Sequence, residues 1–510
     1  MVVISARTGS PLSFPVTKAV LAHLNLPAFE ESELPVARAL RVLAPLDASL
    51  ADLVRGGETS LTDSATPDEQ IRFFQERRLN RQYARIAQWV RDTVGTVSVK
   101  VTDAKWLTST DRDFLASAVH SAGWEVEMTF ESDASAVATA PGEREGEIVG
   151  LLAESQPGSA DVLIDAAFEY VNVGDAQSAA TIGMHVLTLE QSPRVWNLLA
   201  LSHAMLDRTV EAERYYAFWR MSDKPLDKVR ALYGQSMLYA RHHPAGLRDL
   251  DRSAQFLDTA YALIQDLDPE TRAGEDVRFD EVFNRNGYAL VLFRRGQVDE
   301  AIDLLEWGIG SLAQTGPKVS IHRTVLIYNL AQCFKQLGRI DEAVATYQRL
   351  LAVDPFMAEY HLEAAKCYAL GGNLPQAVEC CRDAIEIDPT LAVAWSLLGL
   401  YLSQNGDRSD AADAYLEAHR NDAGALKPLL DAAHCYLLAG DLEHAGDVLR
   451  SATPEPGEPN LYERFALLNA ELCVRHGDRS NARDWIDRGL ALVPGSTSLR
   501  ENRDLLAVGA

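Results

Sequence analysis

Residues 391–424 read LAVAWSLLGLYLSQNGDRSDAADAYLEAHRNDAG. Aligned with its neighbours from residue 323 to 454, this stretch is one row of a frame 34 residues wide. One column holds Ala331, Ala365, Gly399 and Ala433; a second holds Gly338, Gly372, Gly406 and Gly440. A third holds Ala343, Ala377, Ala411 and Ala445. Large side chains recur at Phe334, Tyr368, Leu402 and Tyr436, and Pro355 and Pro389 close the first two rows. A constant period with small residues at fixed slots is the mark of a stacked helix–turn–helix array. The small residue on the first helix lets the second helix come close. The glycine stands just past the end of the first helix, where a left-handed backbone favours it. No single unit can bury its own apolar stripe, so units must stack.

The row Trp395, Leu398, Gly399, Gly406, Ala411, Tyr415 and Ala418 resembles the tetratricopeptide repeat family. It departs from the family pattern at Leu402, where an aromatic is usual, and at Ala423, where the closing proline would stand. The resemblance implies a mainly α fold, a right-handed superhelical solenoid. Outside the regular rows the pattern extends both ways. Ala167, Tyr170, Gly174 and Ala179 mark a first unit; Trp196, Leu199, Ala200, Ala212 and Tyr216 mark a second, with Asp207 at the turn-glycine slot. A less regular third unit spans 226–267 and carries the long turn HHPAGLRD; residues 268–276 (DPETRAGED) form another insertion. Ala289, Gly296 and Ala301 mark the fourth unit, and Ala470, Gly477, Ala482 and Pro494 mark the ninth. About nine helix pairs are therefore expected over 160–494, followed by a capping helix over 495–510.

Residues 1–131 read as a small α/β module. Val2–Ser5 is a short apolar run, and helical patterns cover 16–24, 35–43 and 69–94, with a polar loop at 56–67. TVSVKVTD (96–103) and WEVEMTF (124–130) read as strands flanking a helix at 110–122. Residues 132–159, rich in Ser, Ala, Gly, Pro and Glu, read as a linker holding one short helix near 148–154.

Composition narrows the function. The chain has 510 residues and a net charge of −25, and neither the module nor the repeat region is basic. This opposes general binding to nucleic acid or to an anionic membrane. Arginine outnumbers lysine 39 to 9, which with abundant alanine points to a GC-rich bacterial genome. The opening MVVISARTGSPLSFPV lacks a signal-peptide pattern, and there is no long apolar run, so a cytoplasmic setting is expected. The six cysteines all lie in the repeats, and Cys333, Cys367 and Cys435 share a column with Tyr401. That column is a packing slot, so neither a metal site nor a disulfide is expected.

Candidate chemistry is sparse. Residues 2–13 have one glycine and no Gly-Lys-Ser/Thr, and Lys18 comes too late for a phosphate loop. Around Asp103 and Trp106, the stretch VSVKVTDAKWLTSTDRDFL resembles the acidic strand end of signal-transduction ATPases that precede helical repeats. Thr102 replaces the second acid of that pattern, so Asp103 is expected to cap a turn and Trp106 to pack in the module. Arg77, Arg81 and Arg85 share one helical face and read as solvated. His242 and His243 read as part of a polar loop. No catalytic residue, cofactor or metal is assigned, and an enzyme is not expected.

In the family that the repeats resemble, exposed slots of the first helices line a concave groove that holds a partner. Carried onto this chain, those slots are Phe283, Asn286, Leu290, Phe293 and Arg294 in the fourth unit, and Tyr328, Gln332, Lys335 and Gln336 in the fifth. They continue as Leu362, Lys366 and Leu370 in the sixth, then Ser396, Gln404, Leu430 and His434. Apolar anchors, amides and the cations Arg294, Lys335 and Lys366 suit a protein or peptide with acidic groups. Tyr328 and Gln332 stand where chaperone-docking members carry Lys and Asn, so that docking mode is not expected. The resemblances imply an interaction scaffold. The alternatives are a regulatory protein with a degenerate ATPase-like module, or an enzyme whose repeats present a protein substrate to residues 1–131.

Overall fold

The computed structural model describes residues 1–7, 10–24, 75–137, 143–312, 317–422, 424–452 and 457–508, with positions 26, 36, 39, 40, 42, 43, 61 and 454 between them. The expected helix at 35–43, the loop at 56–67 and the start of the 69–94 helix lie largely outside these residues. Contacts divide the chain into two units, Met1–Phe356 and Met357–Ala510.

The N-terminal unit begins with three parallel strands, β1 (Val2–Ser5), β2 (Ser98–Thr102) and β3 (Glu125–Met128), in the order β1-β2-β3. Ile4 lies opposite Val101, and Val99 opposite Val126. Helices α1 (Pro15–His23), α2 (Gln75–Val94) and α3 (Ser109–Ala122) accompany them. The core has a chain of edge-to-face rings, Phe14–Tyr83–Phe114–Trp124, with centroids 5.7, 5.8 and 5.9 Å apart. Asp111 is fully buried and ties α3 to α1: it accepts from the Thr17 amide and hydroxyl, both at 2.8 Å, and from the Thr108 hydroxyl at 2.8 Å. A carboxylate at a helix start meets amides that have no helical partner.

The described parts of 132–159, residues 132–137 and 143–159, are pinned in place and are not a free linker. Val137 bridges to Ile4 alongside β1, and the helix α4 (Glu143–Glu154) is longer than its composition suggested. Its Ile148 is buried with Leu12, Leu163 and Ile164, and its Glu145 pairs with Lys18 at 2.5 Å. Ser13 donates to Asp175 at 2.7 Å, and its amide donates to Ser178 at 2.8 Å. The module, α4 and the first repeat therefore share one buried seam.

Five helix pairs complete this unit: Ala160–Val173 with Ala176–Leu189, Pro193–Met205 with Thr209–Trp219, Pro225–Met237 with Leu250–Gln265, Glu275–Arg294 with Val298–Ser311, and Pro317–Gln336 with Ile340–Val353. The C-terminal unit holds four more: Ala358–Leu370 with Leu374–Ile387, Ala392–Asn405 with Arg408–Asn421, Lys427–Ala439 with Leu442–Ser451, and Pro459–Arg475 with Arg479–Leu492. The helix Thr497–Val508 follows and buries Leu499 against Ala466, Ala482 and Ile486, while Arg500 to Asp504 stay exposed. Among the described residues, nine pairs and a following helix agree with the sequence reading. No strand occurs among the described residues of 323–494.

The columns have visible causes. Ala343, Ala377, Ala411 and Ala445 are each fully buried. A Cβ built on Gly399 would lie 2.9 Å from the ring of Tyr415, so the second helix of that repeat rests on the bare backbone of the first. Gly406 has φ +100°, in the left-handed region, and Asp207 adopts φ +55° at the slot where other repeats have glycine. The cysteines at 333, 367 and 435 are buried fillers, and burial pushes the Cys333 thiol up to about 12.

This packing predicts a stability series. Ala377→Leu and Ala411→Leu overfill the contact and are expected to cost about 1–3 kcal/mol each. Gly399→Ala meets Tyr415, and Gly406→Val forces a branched residue to positive φ, so both also lower the urea midpoint. Four unchanged midpoints would show that the register is wrong.

Candidate partner-binding face

The first helices of repeats three to five carry a run of rings. Phe279 and Phe283 stack with centroids 4.5 Å apart, and both remain half-buried. His322, from the next first helix, meets them edge-on at 4.5 and 5.2 Å. Tyr233, from the preceding one, meets Phe283 edge-on at 6.4 Å. Phe279 and Phe283 are one helical turn apart, so both rings fall on one face. The sequence reading named Phe283 but missed Phe279, Tyr233 and His322. The four-residue spacing of the two phenylalanines was the available signal.

The proposed slots divide into those that face out and those that pack. Arg294, Gln336, Leu370 and Gln404 are exposed, and Leu370 keeps 64% of its surface. Phe283, Leu290, Phe293, Tyr328, Gln332, Lys335, Lys366, Ser396 and His434 are half-buried. Three assignments are corrected: Asn286, Leu362 and Leu430 are 8, 3 and 0% exposed and belong to the packing between helices. Asn286 accepts from Asn329 of the next first helix at 2.9 Å, which a solvent-facing slot would not require. Tyr328 also takes part in packing: its ring meets Tyr347 at 6.1 Å, and Gln332 donates to the Tyr347 hydroxyl at 2.6 Å. The family register marks helix faces, but it does not show where the next helix covers them.

The three cations are also engaged. Arg294 donates to the Ala240 carbonyl, and Lys366 pairs with Glu363 at 2.6 Å. Lys335 has an interaction of its own. Beside the rings, Asp280 takes Arg230 Nε at 3.2 and 3.0 Å. Burial raises the Asp280 carboxyl from the ordinary 3.8 to about 6, with Arg230 offsetting part of the rise.

The ATPase-like residues have different surroundings from those expected. Asp103, at the end of β2, accepts from Ser132 at 2.6 Å and from Ser5 at 3.0 Å, and these bonds hold its carboxyl below the usual range. Its side chain thus ties the ends of β1 and β2 to the segment after β3 and does not cap the turn that follows. Trp106 is 56% exposed, contrary to the expectation that it packs in the module. His243 is also corrected. It lies buried, 2.9 Å from the Thr209 hydroxyl and edge-on to Tyr239, because a π-turn at Leu238–His242 folds the chain inward.

Two tetratricopeptide repeat models match the chain, at residues 285–307 and 328–392. This is a tetratricopeptide-repeat protein. Both matches lie in the repeats, and neither reaches residues 96–115. The chain is similar to Protein CTR9 homolog of Arabidopsis thaliana, with 28% identity over 114 residues. That match takes in 22% of this chain and only 10% of the relative's length. Among solved structures it is similar to a tetratricopeptide repeat protein of Parabacteroides merdae, at 13% identity, covering 55% of this chain and 98% of that one with a TM-score of 0.34. It is also similar to pilF of Pseudomonas aeruginosa, at 17% identity, covering 44% and 98% with a TM-score of 0.33. Among the described residues, no helix of this tetratricopeptide-repeat protein is long and apolar enough to cross a membrane.

Two outcomes follow for this face. Tyr328→Ala is expected to lower stability by about 1–3 kcal/mol, read from the denaturant midpoint, because the ring packs on Tyr347. The Asp280 carboxyl binds its proton more tightly in the folded than in the unfolded chain. Its stabilising contribution is therefore complete below about pH 3.8 and lost as pH rises through about 6. Between pH 4 and 7 the wild-type midpoint should thus fall relative to that of Asp280→Asn. Parallel curves would contradict the assignment.

Proposed function

We propose that this tetratricopeptide-repeat protein is an interaction scaffold, a binding protein and not a catalyst, whose partner is a protein segment held on the first-helix face of repeats three to five. The observation that carries this reading is the half-buried stacked pair Phe279 and Phe283, framed by Tyr233 and His322. Rings held rigidly by their neighbours and still open to solvent supply contact area at little cost in side-chain entropy. Gln332 and Lys335, on the adjacent first helix, add polar groups that orient a peptide backbone or an acidic side chain. The partner's surface therefore combines an apolar or aromatic anchor with acidic groups beside it. Neither nucleic acid nor a lipid surface fits so acidic a chain, and the cytoplasm is the setting proposed for the encounter.

Photo-crosslinking from the full chain tests this. A photoreactive phenylalanine replaces Phe283, Phe293 or Gln336 on first helices, or Val210 or Trp307 on second helices. In extracts of the native host, the first-helix positions are expected to yield one common crosslinked protein, and Phe279→Ala should weaken its capture about tenfold or more. Crosslinks only from Val210 or Trp307, or from a probe at Trp106, would overturn the reading and move the partner to another surface.

A further inference from the structure

The second helices of repeats two and three bound a separate groove, and its chemistry differs from that of the rest of the molecule. Two adjoining cavities of ≈ 520 and ≈ 360 Å³ share Arg220, Gln255 and Phe256. Their walls come from Thr209–Trp219 and Leu250–Gln265, and their floor from Lys228, Leu232 and Gln235 of Pro225–Met237. Four cations line them: Arg214, Arg220, Lys228 and Arg252. Glu213 is the one acid among the lining residues, and it is already occupied, taking the Tyr239 hydroxyl at 2.5 Å and Arg252 at 3.2 Å. This excess of positive charge stands in a chain whose net charge is −25.

The cations are arranged for use. Arg220 donates to the Gln235 side-chain oxygen at 3.3 Å and lies 5.9 Å from the centre of the Phe256 ring, with no carboxylate partner among the described residues. Arg214 and Lys228 likewise form no ion pair among those residues. Arg252 is held over Tyr239 at 4.2 Å, and the π-turn that presents Tyr239 also buries His243 beneath it. Cations grouped without a counter-charge repel one another and raise the local concentration of anionic ligands. Phe256 and Leu263 of one wall and Leu232 of the floor add an apolar surface that a bare anion would leave unused. From Arg252 to Leu263 the wall runs about 16 Å at the helical rise, the reach of about five extended residues.

We propose that this groove binds an acidic peptide segment of a partner protein in extended form, with carboxylates on Arg214, Arg220 and Lys228 and an apolar side chain over Phe256. It is a second site, independent of the first-helix face: Tyr233, on the same helix as Lys228, turns its ring towards Phe283 instead. The spread of charge along the groove favours a chain of carboxylates over a single phosphate. The acidity of the rest of the surface opposes the backbone of a nucleic acid.

Fluorescence anisotropy with labelled Glu-Glu-Leu-Glu-Glu and the full chain tests the proposal. Binding is expected to weaken several-fold between about 50 and about 300 mM salt, because the groove is solvent-open and screening acts on it. Arg214→Glu/Lys228→Glu should raise Kd about tenfold or more, and the milder Arg214→Gln/Lys228→Gln should raise it less while keeping the fold. Lys105→Glu/Arg112→Glu makes the same change of net charge on the N-terminal module and should leave Kd unchanged. Four results would overturn the proposal: no binding of the peptide, equal loss in both Glu double variants, equal binding of Lys-Lys-Leu-Lys-Lys, or displacement by pyrophosphate or single-stranded DNA at lower concentration than by the unlabelled peptide.

Discussion

The contact that the repeats depend on is one helix resting on the bare side of its partner. At Gly399 the ring of Tyr415 occupies the space that a side chain would need. Ala377 and Ala411, on second helices, are fully buried, so a larger side chain there would have to displace its neighbours. Close approach lets the larger residues interdigitate and fill the remaining space at the density of a protein interior. It also fixes the pitch of the array, so an error at one slot is passed to the neighbouring pairs. The large side chains vary along the chain because many shapes fill the space, whereas the small ones recur because nothing larger fits.

The N-terminal module obeys a different constraint. Three short parallel strands leave their ends with few partners, and buried or half-buried polar side chains supply them. Asp111 holds the start of α1, Asp103 gathers Ser5 and Ser132, and Asp175 of the first repeat reaches back to Ser13. The module is thereby bound into the first repeat through Ile148 and Leu12. The N-terminal unit continues from there through the fifth repeat, so the rings on its first helices sit on a scaffold anchored at one end by the module.

The repeats were legible because their constraint is periodic. The alanine and glycine columns repeat wherever two helices meet, and they placed the regular units; the irregular third unit was legible only as a span, 226–267. Two of the three strands were legible from the alternating runs at 96–103 and 124–130, while Val2–Ser5 read only as a short apolar run. What was hidden depends on contacts between segments distant in sequence. Asn286, Leu362 and Leu430 look like groove slots in a single row, yet packing covers them. Residues 132–159 have a linker's composition, but contacts of Ile148 and Glu145 dock the helix Glu143–Glu154. His243 sits in a polar string and is buried by a π-turn that no local pattern announces. The cations of the second groove are scattered over three helices from Arg214 to Arg252, so only folding brings them together. Of the candidate face, Phe283 was legible, and its stacking with Phe279 under His322 was not.

The first helices of repeats three to five are the surface proposed to hold the partner. Hydrogen exchange of the full chain, free and with its crosslinked partner purified, tests this most directly. Exchange is expected to slow in Pro225–Met237, Glu275–Arg294 and Pro317–Gln336, with the strands Ser98–Thr102 and Glu125–Met128 unchanged. Protection confined to those strands and to the segment around Trp106, with none on the three helices, would contradict it.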